Sequence, residues 1–82
     1  MYKVRVGQRA QKKLAKISEP YYTKIKNAIL DLGHDPKPNG YKKLRGREAF
    51  RIRVASYRII YEIHDEILLI DVIDLGHRKD IY

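Results

Sequence analysis

Three extended runs in succession, with almost nothing between them, restrict this chain more than any other feature. Phe50-Arg51-Ile52-Arg53-Val54 and Tyr57-Arg58-Ile59-Ile60-Tyr61-Glu62-Ile63 are separated only by Ala55-Ser56. A third run, Ile67 to Leu75, follows Asp65-Glu66. Period-two patterning with two-residue connections is the mark of antiparallel hairpins. Given such turns, the register follows by counting: Val54 faces Tyr57, Arg53 faces Arg58 and Arg51 faces Ile60. Arg53 and Arg58 then stand opposite each other on one face, with Arg51 two positions along the same strand. Like charges placed directly opposite oppose pairing. An anionic ligand would turn that penalty into affinity.

The rest of the chain supplies a cover for such a sheet. Tyr2-Lys3-Val4-Arg5-Val6 alternates, so Tyr2, Val4 and Val6 face a core and Lys3 and Arg5 face water. Gly7 ends that run and the period changes. Ala10, Leu14 and Ile17 form one helical stripe, with Arg9, Lys12, Lys13 and Lys16 on the other faces. Ser18-Glu19-Pro20 breaks it and starts a second helix, Ser18 serving as N-cap and Pro20 sitting in the first turn. Tyr21, Ile25, Ala28, Ile29 and Leu32 make the second stripe, and Gly33 stops it. The two helices are expected to form an antiparallel hairpin on one side of the sheet, since neither buries its stripe alone.

His34 to Tyr41, with Pro36, Pro38 and Asn39-Gly40, reads as a loop, and Lys42 to Gly46 leads back into the sheet. Ile52, Val54, Tyr57, Ile59, Tyr61 and Ile63 are the expected helix-facing core. The final run is apolar on both faces, as in a covered central strand. The order is β-α-α-β-β-β: an α+β fold with an antiparallel-rich sheet, a helical hairpin on one face and solvent on the other. Residues 1–82 are read as one domain.

Charge narrows the ligand. Lysine and arginine number 18 against 10 acids, a net +8, which points to a polyanion and most simply to nucleic acid. A merely solubilising surface is the plain alternative. The absence of cysteine excludes disulfides and thiolate metal sites, and three histidines without ligand spacing give no reason to expect a metal. No apolar run approaches the roughly 18 residues of a membrane span, so a cytoplasmic protein is expected. Glycine-rich phosphate loop, serine elbow and carboxylate pair are all missing, and no cofactor is expected.

What remains is a set of cations. Arg51, Arg53, Arg58 and Arg78 suit a phosphate clamp, because guanidinium presents planar donors that match phosphate oxygens. Taken singly, each reads better as an exposed residue paired with an acid such as Glu62 or Asp71; as a set on one face they favour the clamp. His77 is the neutral-pH proton carrier near them, against the plain alternative of a structural histidine. Tyr82 offers a ring for an unpaired base.

Together, Lys43-Leu44-Arg45-Gly46, Phe50 to Val54, Tyr57 to Tyr61 and Gly76-His77-Arg78-Lys79-Asp80-Ile81-Tyr82 resemble the RelE/ParE toxin superfamily. The likeness is to the RelE branch, ribosome-dependent mRNA endonucleases of toxin–antitoxin pairs. It implies that a nucleotide's own 2′-hydroxyl attacks the adjacent phosphorus, leaving a 2′,3′-cyclic phosphate and a 5′-hydroxyl, with no metal. By position, Arg51, Arg53 and Arg58 match the family's basic strand positions, and Arg78 and Tyr82 its tail arginine and tyrosine. The implied catalytic set is Arg53, Arg58, His77, Arg78 and Tyr82; Lys43, Arg45 and Arg51 would bind substrate. Arg58 would stabilise charge at phosphorus and Arg78 assist the leaving 5′-oxygen. Some relatives carry lysine where this chain has Arg51 and Arg53, and arginine is a poor base. His77 is therefore assigned the proton.

The resemblance also implies two partners: a cognate antitoxin, acidic and partly disordered until it wraps the toxin, and the ribosome with mRNA in its decoding site. Two other readings stay open. The ParE branch shares the fold, is associated with DNA gyrase and generally lacks the tail histidine-arginine and tyrosine. A non-catalytic RNA-binding module would use the same cations without cutting.

Overall fold

The turn at Ala55-Ser56 sets the geometry of the sheet. The computed structural model, which describes residues 1–77, contains β1 (Lys3–Val6), α1 (Gln8–Leu14), α2 (Tyr21–Asp31), β2 (Lys42–Lys43), β3 (Phe50–Val54), β4 (Tyr57–His64) and β5 (Leu69–His77). Ala55 adopts the left-handed conformation (φ 54°) that a two-residue hairpin connection of this twist requires. Val54 accordingly faces Tyr57, Arg53 faces Arg58 and Arg51 faces Ile60, the register obtained by counting. The strands lie in the order β1-β5-β4-β3-β2. β1 runs parallel to β5, and the other three pairings are antiparallel.

The second connection departs from expectation. Asp65–Ile67 forms a 3-10 turn and Leu68 takes a left-handed conformation (φ 50°), so four residues, not two, link His64 to Leu69. The last strand therefore runs Leu69–His77 rather than Ile67 to Leu75, and Ile67 and Leu68 are left exposed. The Tyr2 hydroxyl fastens this turn by donating to Asp65.

β5 is also not a simple two-faced apolar strand. Alternation from Ile70 and Val72 would carry Asp74 into the core and Leu75 out of it. A bulge prevents this: Tyr61 pairs with Val72 but Ile60 with Asp74, so Ile73 is the extra residue. Ile70, Val72 and Leu75 all end fully buried, and Asp74 is turned toward Lys13 of α1 at 2.7 Å.

The two helices cover one face, α1 chiefly over β5 and α2 over β3. Ala10, Ile25, Ile29 and Leu32 meet Ile52, Ile59, Tyr61, Ile70, Val72 and Leu75, with Tyr2, Val4, Val6, Leu14 and Ile17 packed around them. Tyr21, expected on the apolar stripe, is instead 40% exposed at the start of α2. Ser18 does not cap α2 with its side chain. Pro20 holds the N-cap position, and the Glu19 carboxylate accepts from the Thr23 N–H (3.0 Å) and hydroxyl (2.7 Å). Those two bonds hold the Glu19 carboxyl below its usual range. Among the described residues no helix is long and apolar enough to cross a membrane.

Gly33 ends α2 for a packing reason. A Cβ there would lie 2.9 Å from the Tyr2 carbonyl oxygen and 3.0 Å from Val4 Cγ2, and the Gly33 carbonyl accepts from the Tyr2 N–H at 2.8 Å. The backbone of β1 rests directly on this residue. Gly33→Ala is therefore expected to cost about 1–3 kcal/mol, the usual penalty of overpacking, measured by urea denaturation. A loss below a few tenths of that would show that β1 shifts freely.

The other face of the sheet is only partly open. Leu44 N–H bonds the Ala49 carbonyl at 2.8 Å, folding the Leu44–Ala49 segment back, and Gly46 (φ 73°) supplies its left-handed corner. Leu44, Arg45 and Arg47 then share a pocket with Ile60, Ile73 and Asp74. Ile60 is consequently 4% exposed, where an uncovered sheet face was expected.

Candidate functional site

The hairpin turn brings Arg53 and Arg58 together as a directly opposed cross-strand pair, Arg53 exposed and Arg58 half-buried. On its other side Arg58 faces Gly76 of β5. Gly76 itself contributes no side chain beside the guanidinium. Two fixed forks of N–H donors at adjacent positions on one face match the oxygens of a phosphodiester.

Arg51 belongs to the same row but not to the same surface. It is 7% exposed, held between Lys42 of β2 and Ile60 of β4. It borders a groove of about 610 Å³ between α2 and β3 whose lining includes Asp31 and Asp35. The expected row of three exposed guanidinium groups is thus a pair, with the third closed in by strands on both sides. Lys43 is not gathered either. It faces Phe50, a helix-side position, and its ammonium lies 3.2 Å from the Glu48 carboxylate.

Arg45 does approach the open face, through the folded-back turn. Arg47 and Arg9, which sequence reasoning missed, join it in a pocket of about 440 Å³ beside Ile60. The signal for Arg47 was present in Arg45-Gly46-Arg47, since a glycine corner sets flanking residues on one bend. Arg9 had no such signal; it arrives through α1, anchored by Lys13 and by its own 4.0 Å approach to Asp74.

His77 ends β5 opposite Tyr57. Its ring meets the Tyr57 ring edge-on at 5.8 Å, and Tyr57 in turn lies 5.8 Å from Tyr21. Tyr57 is a helix-side position, so the imidazole stands on that side while Gly76 and Arg58 stand on the other. Because β5 continues to His77 instead of ending at Leu75, period-two alternation puts His77 and Arg58 on opposite faces. Arg78 and Tyr82 lie outside the described residues.

What the pair of arginines offers is electrostatic: donors placed where negative charge gathers, on a rigid hairpin rather than a loop.

Comparison with known proteins fixes the lineage. Residues 4–82 match the family described as the ParE toxin of the type II toxin-antitoxin system, parDE. The chain belongs to this toxin family. Among solved structures, the ParE-family chain is similar to one in the RelBE2 toxin–antitoxin complex of Mycobacterium tuberculosis. Identity there is 28%, over 94% of this chain and 98% of that one, with a TM-score of 0.82. The isolated RelE toxin of E. coli is 25% identical, covering 94% and 84%, with a TM-score of 0.81. The archaeal RelE–RelB complex from Pyrococcus horikoshii, at 24% identity, shares the fold over 96% and 97% with a TM-score of 0.84. The toxin is therefore of RelE type within the RelE/ParE superfamily. No curated protein matches the sequence.

Proposed function

We propose that this toxin is an endoribonuclease that cuts mRNA held in the ribosomal decoding site. The observation that supports the reading is the directly opposed pair Arg53 and Arg58 on neighbouring strands, with Gly76 beside Arg58 on β5. A P–O bond forms from the 2′-oxygen, the bond from phosphorus to the 5′-oxygen breaks, and the 2′-proton ends on the 5′-oxygen. Arg58 holds the phosphorane-like charge and Arg53 fixes the diester. Arg78 and Tyr82 take the tail roles, on the leaving oxygen and on the base. The ribosome supplies the ordered substrate for this 82-residue chain.

The partners follow from the same chemistry. A RelB-type antitoxin is the regulator, as in the complexes that resemble this fold. A cationic toxin of net charge +8 favours an acidic, wrapping partner.

His77 is assigned a positioning role rather than proton abstraction, because its ring packs on Tyr57 and not beside Arg58. Single-turnover cleavage of a defined mRNA on programmed ribosomes separates the two. His77→Ala is expected to stay within about tenfold of wild type and to keep its pH profile, since general-base loss removes about 10²–10⁴-fold. A larger loss with an altered profile would restore the base assignment. The same assay tests the function: products ending in 2′,3′-cyclic phosphate support it, and intact mRNA excludes it. A gyrase-directed toxin is the rival favoured by the family match to ParE, and it predicts intact mRNA with gyrase inhibition.

A further inference from the structure

Roughly 13 Å along β4 from Arg58, at the far end of the same face, three potential ligands converge. Glu62 and His64 are two apart on β4 and so point to one side, and Asp71 of β5 directly faces Glu62. Their ligand atoms all lie within 4.8 Å of one another, and Glu62 Oε1 stands 3.2 Å from His64 Nε2. Two carboxylates placed directly opposite repel. Arg5 reaches Asp71 from β1, on the side away from Glu62, and touches Oδ2 at 3.4 Å. Asp71 Oδ1 is buried and has no hydrogen-bond partner. A closed-in carboxylate oxygen without a donor is the atom a cation would satisfy.

We propose that Glu62, His64 and Asp71 bind a divalent transition-metal ion, best matched by Zn²⁺. An imidazole nitrogen with two carboxylates is a borderline donor set that suits zinc, whereas calcium and magnesium demand more oxygens. Around an ion with bonds near 2.0–2.1 Å, tetrahedral ligand atoms stand about 3.3 Å apart, close to the Glu62–His64 separation already present. Three protein ligands leave the fourth position to water. Glu62 and His64 are 35% and 41% exposed, so the ion has an entry path. A bound ion clips β4 to β5 just before the Asp65–Ile67 turn, far from the arginine pair, and so stabilises the hairpin without entering the cleavage chemistry.

Sequence spacing gave no hint of this site, because two ligands come from one strand and the third from its neighbour. The test is calorimetric titration of chelator-treated full-length protein with Zn²⁺, beside His64→Ala, Glu62→Gln and a His34→Ala control. One ion per chain is expected for wild type and for the control. The His64 and Glu62 variants should bind roughly 10–100-fold more weakly, the loss seen when even an outer partner is removed. Zn²⁺ should raise the melting temperature of wild type and not of His64→Ala. Circular dichroism verifies that both variants fold. Wild-type protein that takes up no stoichiometric zinc, or His64→Ala that binds it equally well, overturns the proposal and leaves an ordinary pair of surface ion pairs. Neither result depends on whether RNA is cut.

Discussion

Arg58→Ala is expected to slow mRNA cleavage on programmed ribosomes by about 10²–10³-fold, the loss typical of removing one fixed donor from developing charge. Arg58 is the better placed of the opposed pair. It sits inside the sheet, flanked by Arg53 on β3 and by Gly76 on β5, and is half-buried where Arg53 is exposed. A donor held by two neighbouring strands needs little reorganisation in the transition state, and partial burial strengthens its field. Arg53→Ala should therefore cost less, about tenfold, appearing as weaker binding more than slower chemistry. Arg58→Lys keeps the charge but loses the planar fork, and an intermediate rate is expected. Single-turnover rates at saturating ribosome concentration measure all three. Arg58→Ala cleaving within twofold of wild type would remove the guanidinium from the chemistry.

The largest effect on stability is expected at Tyr61, which is wholly buried in the middle of β4. Its ring lies 5.9 Å from that of Phe50, and its hydroxyl donates to the Pro36 carbonyl at 2.6 Å, tying the 34–41 loop to the core. Tyr61→Ala empties the space of an aromatic ring and should cost about 3–5 kcal/mol. A domain of this size has about 4–12 kcal/mol in total, so the variant should be largely unfolded at moderate temperature. Tyr61→Phe removes only the hydrogen bond, about 1 kcal/mol.

Tyr61 also predicts alkaline behaviour. Burial first, then the nearby Tyr41 and Asp35 charges, push its hydroxyl from 10.0 up to about 12. The folded value exceeds the unfolded one, so the stabilising contribution is complete below pH 10 and is lost as pH rises toward 12. Urea melts across that range should show falling stability in wild type and a shallower fall in Tyr61→Phe. Identical slopes would mean the hydroxyl titrates as freely in the fold as outside it.

Much of this fold was legible because its decisive connection is two residues long. Ala55-Ser56 fixes the register, and with it the helix-facing set Ile52, Val54, Tyr57, Ile59, Tyr61 and Ile63. The last strand was not legible in the same way. Ile70 to Leu75 admits two alternations, and only the bulge at Ile73, chosen by burying Leu75 while Lys13 meets Asp74, decides between them.

The site divides along the same line. The Arg53–Arg58 pair follows from local register alone. The burial of Arg51 depends on β2 reaching its edge, and the arrival of Arg47 and Arg9 depends on a folded-back turn and on a helix near the other end of the chain. His77 looked like a neighbour of the arginines because the last strand was expected to end at Leu75, whereas β5 runs on through His77. The pleat sends Gly76 and His77 to opposite faces. The Glu62, His64 and Asp71 cluster was invisible because its ligands meet only once β4 and β5 pair.

The most direct test is to induce the toxin in growing cells and map new mRNA 5′ ends, with and without a drug that blocks ribosomes, beside Arg58→Ala. A ribosome-dependent nuclease should create new 5′-hydroxyl ends inside translated reading frames. Those ends should vanish both with the drug and with the variant. Growth arrest without new ends, or ends that persist when ribosomes are blocked, would contradict it.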